Sequence, residues 1–311
     1  MKILENFYQI NDENLTSLLL KKEKISALEE LLFIESKKLE SLKKQKRKLD
    51  FGKKICYKEL EQFFPKLKKE VDDFLDVQNI FFPNIKYLSN IENMALSPKI
   101  STYAGLYYVL SISNFGFLLN NLSILTNKFP LLNTLLMLNM IICGISGISL
   151  HSRVDSSGYF PTRESIRIKK EKRANLIPVL AHEYTHHIQC KKNFGFKEEN
   201  VFIEGHARGV QRYIAETYRE RENNDAFLYE NLGIDVMEIK NCYIWASKKL
   251  KEPLKKSLLK INTLPYPYGW VCMREGKPTE HAIGNALFSI YEKEYGNKIY
   301  REMIHGNFQF K

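Results

Sequence analysis

The amino-acid sequence predicts an α+β protein that is mostly helical, with one small mixed sheet. Two observations carry this. Apolar residues recur at three- and four-residue steps over long stretches, and only two short segments alternate in the manner of strands. A third observation bounds the class: the 311 residues are 44% hydrophobic, 12% aromatic and 27% charged. That composition excludes disorder, a collagen-like repeat and a disulfide-dense miniprotein, and the length suffices for one large domain or two small ones. Cys56, Cys143, Cys190, Cys242 and Cys272 are widely spaced and form no CxxC pair. They read as reduced thiols of an intracellular protein, not as a disulfide framework or a cysteine zinc site. Met1 to Asn6 meets polar residues at once, so no cleaved secretory signal is expected.

The elements follow in order. From Asn11 to Leu49, Ile25, Leu28, Leu32, Leu39, Leu42 and Leu49 form one apolar stripe on a helix otherwise covered by Lys and Glu. Gly52 breaks it, a second amphipathic helix is expected from Lys54 to Val77, and Pro83 marks a stop. Residues 1–98 therefore read as a helical hairpin or short coiled coil. This region is basic, since residues 21–70 hold 16 Lys/Arg against 9 Asp/Glu. A solvated, lysine-rich face accounts for that better than nucleic acid, because no zinc-finger spacing, RNP-type aromatic pattern or helix-turn-helix accompanies it.

Between Lys99 and His151 the only charge is Lys128. Each flank of Lys128 is long enough to cross a bilayer, and basic residues outside both flanks would keep the ends of a membrane hairpin on the cytoplasmic side. Asn114, Asn120, Asn121, Asn133 and Asn139 are costly in hydrocarbon, which favours a buried core segment over residues 103–150. After His151, Gly158–Phe160 and Ser165–Lys169 read as strands separated by Pro161. Pro178 is expected to open a helix, the loop Lys191–Asn200 follows, and a second helix runs from Val201 to Arg221. Further helices are expected near Asp235–Leu250, Glu280–Tyr295 and Lys298–His305, with Gly296 as a stop.

The helix opened by Pro178 carries His182-Glu183-Tyr184-Thr185-His186, an HExxH motif. Its content is spacing: residues four apart lie on one helix face, so both imidazoles can share one zinc ion. Glu183 is then aimed beside the metal, where a carboxylate takes a proton from the water that the metal activates. A hydrolytic zinc needs a third protein ligand and an open position. Gln189 and Lys192 stand where a metzincin would have Gly and His, so that class is excluded. Among downstream carboxylates, Glu198 and Glu199 sit in a solvated loop. Glu204 lies in the apolar first turn of the second helix, beside the small Gly205 and Ala207, which let that helix approach another backbone closely.

His182-Glu183-x-x-His186, seventeen residues, then Glu204-Gly205-x-Ala207 resembles the gluzincin zinc metallopeptidases, the group containing thermolysin and the M1 aminopeptidases. The likeness covers roughly residues 156–222 and extends weakly to Ile283–Phe288. It implies a single Zn2+ held by His182, His186 and Glu204, with Glu183 as general base, and a peptide held along an edge strand, Ser165–Lys169. The fold it implies is a catalytic core over 99–222, followed by a helical subdomain over 223–311. The chain departs from the family at Arg208, where an Asp usually steadies the first histidine, and it lacks a GAMEN-like motif. The family's oxyanion-stabilising residue is assigned to Tyr268, with Tyr266 and His281 as competitors.

These readings point to a cytoplasmic zinc metallopeptidase acting on a peptide or protein. Two alternatives stay open. One is a zinc-stabilised binding or scaffold protein without catalysis. The other is a membrane-embedded peptidase anchored through residues 103–150, with its site facing the cytoplasm. His187 is expected beside the site or at the surface, and His206 is expected to face elsewhere.

Overall fold

The computed structural model describes residues 12–87, 134–143, 158–160, 163–168, 171–192, 201–261, 273–274 and 276–307, with a few isolated positions between them. The elements are α1 (Asp12–Leu19), α2 (Lys22–Gln45), α3 (Tyr57–Leu75), β1 (Asn84–Tyr87), β2 (Gly158–Phe160), β3 (Ser165–Ile168), α4 (Arg173–Lys191), α5 (Val201–Glu222), α6 (Ala226–Leu250), α7 (Lys256–Leu259), β4 (Met273–Arg274), β5 (Lys277–Pro278), α8 (Glu280–Tyr295) and α9 (Lys298–Ile304). The fold is mostly helical with a small three-stranded sheet, and β4 and β5 form a separate antiparallel pair.

The chain divides into two compact units. One comprises Met1–Lys86, Gly158–Ile166 and Lys170–Lys311, and the other Tyr87–Ser157 and Arg167–Lys169. In the first unit, α4, α5, α6 and α8 pack on one another, while α2 lies along α6 and α3 against α4. The two N-terminal helices are thus applied to different parts of one core. In the second unit, residues 134–143 are helical and leave Leu135, Met137, Leu138, Ile141 and Ile142 exposed. No helix among the described residues is long and apolar enough to cross a membrane, and most of 103–150 lies outside them.

The long N-terminal helix is interrupted at Leu20–Lys21, where Lys21 is extended, and ends in a 3-10 turn at Lys46–Lys48. Ile25, Leu28, Leu32, Leu39 and Leu42 of the expected stripe are buried, whereas Leu49 lies beyond the 3-10 turn and is half-buried. Gly52 sits at φ +68, a conformation that favours glycine. Helix α4 starts at Arg173, five residues before Pro178. Pro178 thus lies inside the helix and does not open it; it lacks the N–H that would bond to Ala174 O.

Strand β3 corrects a functional expectation. It lies between β1 and β2, so it is not an edge; among the described residues the edges are β1 and β2. The strand that covers it comes from Asn84–Tyr87, just beyond Pro83, and Asn84 N–H donates to Glu164 O at 2.9 Å.

Helix α5 is the hub. Val201, Ile203, Ala207, Val210, Ile214 and Ala215 are almost fully buried along it, and it contacts α4, α6 and α8. It comes close to α8 where Gly205 faces Gly284. A Cβ on Gly205 would stand 2.7 Å from Gly284 O, and one on Gly284 would stand 2.7 Å from Gly205 N and closer still to Val201 O. Backbone atoms cannot yield as side chains do, so any side chain here parts the helices. Gly284→Ala should cost about 1–3 kcal/mol or more in urea unfolding. A variant as stable as wild type would show that the crossing is looser than described.

Candidate metal centre

Three anchors fix α4, two of them (Tyr184 and His187) on faces other than the one bearing the motif histidines and the third (Gln189) on that face, one turn beyond His186. Tyr184 donates to Asp72 Oδ1 on α3 at 2.8 Å. His187 is fully buried: its Nε2–H donates to Phe81 O at 2.9 Å, and its Nδ1 lies 3.0 Å from Tyr159 Oη on β2. Gln189, also fully buried, bonds to Ile203 O on α5 at 3.0 Å. His187 therefore ties the helix to the sheet and takes no part at the motif face.

On that face His182 Nε2 and His186 Nε2 stand 3.0 Å apart. Each lies 3.4 Å from Glu204 Oε2, delivered from the first turn of α5. The Gly205–Gly284 crossing brings in a further donor. His281, three residues before Gly284 on α8, places its Nε2 3.0 Å from the same carboxylate oxygen, and its ring stacks on His182 at 5.8 Å between centroids. Donor atoms of His182, Glu204 and His281 lie within 4.8 Å of one another. His182, His186 and Glu204 are buried, whereas the His281 side chain is 41% exposed, so the cluster opens on that side.

The donor set fits a divalent cation on two observations. Ligands on a zinc tetrahedron with bonds of 2.0–2.1 Å sit about 3.3 Å from each other. The spacings of 3.0, 3.4 and 3.4 Å among the three donors fall around that value. Glu204 Oε2, buried and facing three imidazole nitrogens, also has no hydrogen-bond partner among the described residues. A buried carboxylate oxygen left this way needs a compensating charge.

Electrostatics agree. Burial pushes Glu204 up, but the imidazoles of His281 and His186 outweigh it and hold the carboxyl well below its usual range. Burial pulls His182 down to about 3, only partly offset by Glu204. Burial also opposes charge on His186, yet Glu204, with Glu183 and Gln189 adding to it, lifts that ring to about 9. The pocket thus presents an ionised carboxylate to its histidines.

Glu183 is buried on α4, and its charge acts on His186. Tyr268 and Tyr266 lie outside the described residues, as do His151, Glu198 and Glu199. The structure therefore brings together His182, His186 and Glu204 and adds His281, which the sequence named only as a competitor for another role. It gives two residues a part that sequence reading missed. Gln189 Oε1 lies 2.8 Å from His186 Nδ1, and His206 lies beyond Gln189. The available signal was a polar residue three positions after His186 on a helix otherwise buried there.

Arg208, at the family's Asp position, steadies neither histidine. His182 Nδ1 is buried with no hydrogen-bond partner among the described residues. Arg208 turns instead into a buried polar cluster behind Glu204, with Gln211 at 2.7 Å, Asp235 at 3.3 Å and Glu238 at 3.8 Å. Asn285 on α8 donates to both acids, at 2.8 and 2.6 Å. Burial pushes Glu238 up despite Arg208 beside it. Removing the cation strands two buried carboxyls, so Arg208→Met should cost about 3–5 kcal/mol in urea unfolding. A loss under about 1 kcal/mol would mean that Arg212, 3.9 Å from Asp235, and Asn285 suffice.

No protein-family model matches the chain, and no curated protein or solved structure matches it. The gluzincin likeness accordingly rests on the motif residues themselves.

Proposed function

We propose that the protein is a zinc-dependent peptidase. The observation that carries the reading is convergence: two imidazoles four residues apart and a carboxylate eighteen positions downstream meet at 3.0–3.4 Å around one point. His182, His186 and Glu204 would hold the ion. When bound, zinc supplies a Lewis acid for a carbonyl oxygen and brings the pKa of water to about 7. Glu183 accepts the proton of the attacking water and returns it to the leaving amine, so it serves as base and then acid. Among the described residues His281 is a group able to donate a hydrogen bond to the developing oxyanion, since it reaches the donor cluster from the exposed side.

The test is digestion of a pooled peptide library by the full chain, with and without a chelator, then with zinc restored. Cleavage that stops and returns supports the proposal; cleavage indifferent to chelation contradicts it.

His281 also favours a second reading. Four protein donors around one zinc make a closed, structural site, as in a zinc-stabilised scaffold. A hydroxamate, which needs an open metal position, distinguishes the two: it should bind the peptidase and not the scaffold. The exposed apolar side chains of residues 134–143 favour a membrane-associated form of the same enzyme. Partition of the expressed chain into the membrane fraction tests that.

A further inference from the structure

We propose that Gln189 and His206 form a buried hydrogen-bond chain, ordered from both ends, that sets which nitrogen of His186 faces the metal. The chain is read from atoms that can act in only one way. Tyr300 O is a backbone carbonyl on α9 and can only accept; it lies 2.9 Å from His206 Nε2, so the proton of a neutral His206 is on Nε2. His206 Nδ1 is then a lone pair, and the Gln189 atom 3.2 Å from it must be the amide nitrogen. Ile203 O, also only an acceptor, lies 3.0 Å from that same nitrogen and gives the same orientation independently. Gln189 Oε1 therefore points to His186 Nδ1 at 2.8 Å and requires a proton there. The lone pair of neutral His186 is left on Nε2, the atom facing Glu204 and His182.

Each member is buried: His206 and Gln189 fully, and His186 nearly so. An amide flip would set Gln189's oxygen against Ile203 O. Gln189 is thus a positioning residue. It joins the helix bearing His182 and His186 to the backbone one residue before Glu204, and it supplies an acceptor for His186 Nδ1, whereas His182 Nδ1 has none among the described residues. Such acceptors fix ring orientation and raise ligand basicity, and their loss weakens metal binding by about 10–100-fold.

The zinc consequence rests on the peptidase reading; the order of hydrogen bonds does not. The experiment uses full-length protein with 15N-labelled imidazoles and long-range proton–nitrogen correlation, together with zinc affinity by chelator competition. His206 is expected to carry its single proton on Nε2 with and without zinc, and zinc-loaded His186 to carry its proton on Nδ1. Gln189→Met should bind zinc about 10–100-fold more weakly. A proton on His206 Nδ1, or a Gln189→Met variant that binds zinc within about twofold of wild type, overturns the proposal. If Gln189→Met does not fold, the wild-type spectrum decides. Wild-type protein that binds no zinc defeats the peptidase reading, and the His206 proton then still tests the chain by itself.

Discussion

If the protein is the proposed peptidase, Glu183→Gln should lower the rate of peptide hydrolysis by about 10²–10⁴-fold while the protein keeps one equivalent of zinc. The substitution preserves volume, so packing around this buried position should survive. What it removes is the carboxylate that takes and returns a proton, a loss of about 3–5 kcal/mol of transition-state stabilisation. Turnover with a defined peptide and zinc by elemental analysis should be measured on one preparation. A Glu183→Gln variant that cleaves as well as wild type would remove Glu183 from the mechanism. One that loses zinc as well would leave the role of Glu183 undivided between metal binding and catalysis.

Glu204→Ala and His186→Ala should each lose stoichiometric zinc, with affinity falling more than about 100-fold, beyond what loss of an outer-shell partner costs. His281→Ala is the informative contrast. In the peptidase it keeps its zinc and turns over more slowly, because the exposed ring meets the reacting carbonyl and not the ion. In a closed structural site it behaves like the ligand variants. Chelator competition on the three proteins separates the outcomes, and retained zinc in His186→Ala would reject the ligand set.

How much of this was legible in the sequence varies with the range of the interaction. Glu280–Tyr295 is bounded as expected because both ends carry local signals: Thr279 accepts from Ala282 N–H, and Gly296 sits at φ +72. Helix α6 begins nine residues before its expected start, since Gly233 disfavours helix by about 1 kcal/mol but Phe227 and Leu232 are buried beside it. Burial outweighs propensity there, and the sequence does not reveal which side chains will be covered. The interruption at Leu20–Lys21 has neither Gly nor Pro to announce it. The central place of β3 depends on a strand some eighty residues earlier, which no spacing rule reaches.

The site divides in the same way. His182 and His186 follow from helix geometry alone, and Glu204 from a buried carboxylate in an apolar turn. His281 and the pairing of Gln189 with His206 arise only once α8 crosses α5 at Gly205 and α9 supplies its Tyr300 carbonyl. These are contacts between elements, invisible to a reading along the chain.

The central claim is that one divalent cation is shared by residues 182, 186 and 204. Anomalous diffraction at the zinc edge, on crystals of the zinc-loaded chain, tests it most directly. A single peak within about 2.2 Å of both Nε2 atoms and a Glu204 oxygen is the expected result. A peak at a cysteine instead, or a Glu204 side chain turned away from both rings, would contradict it.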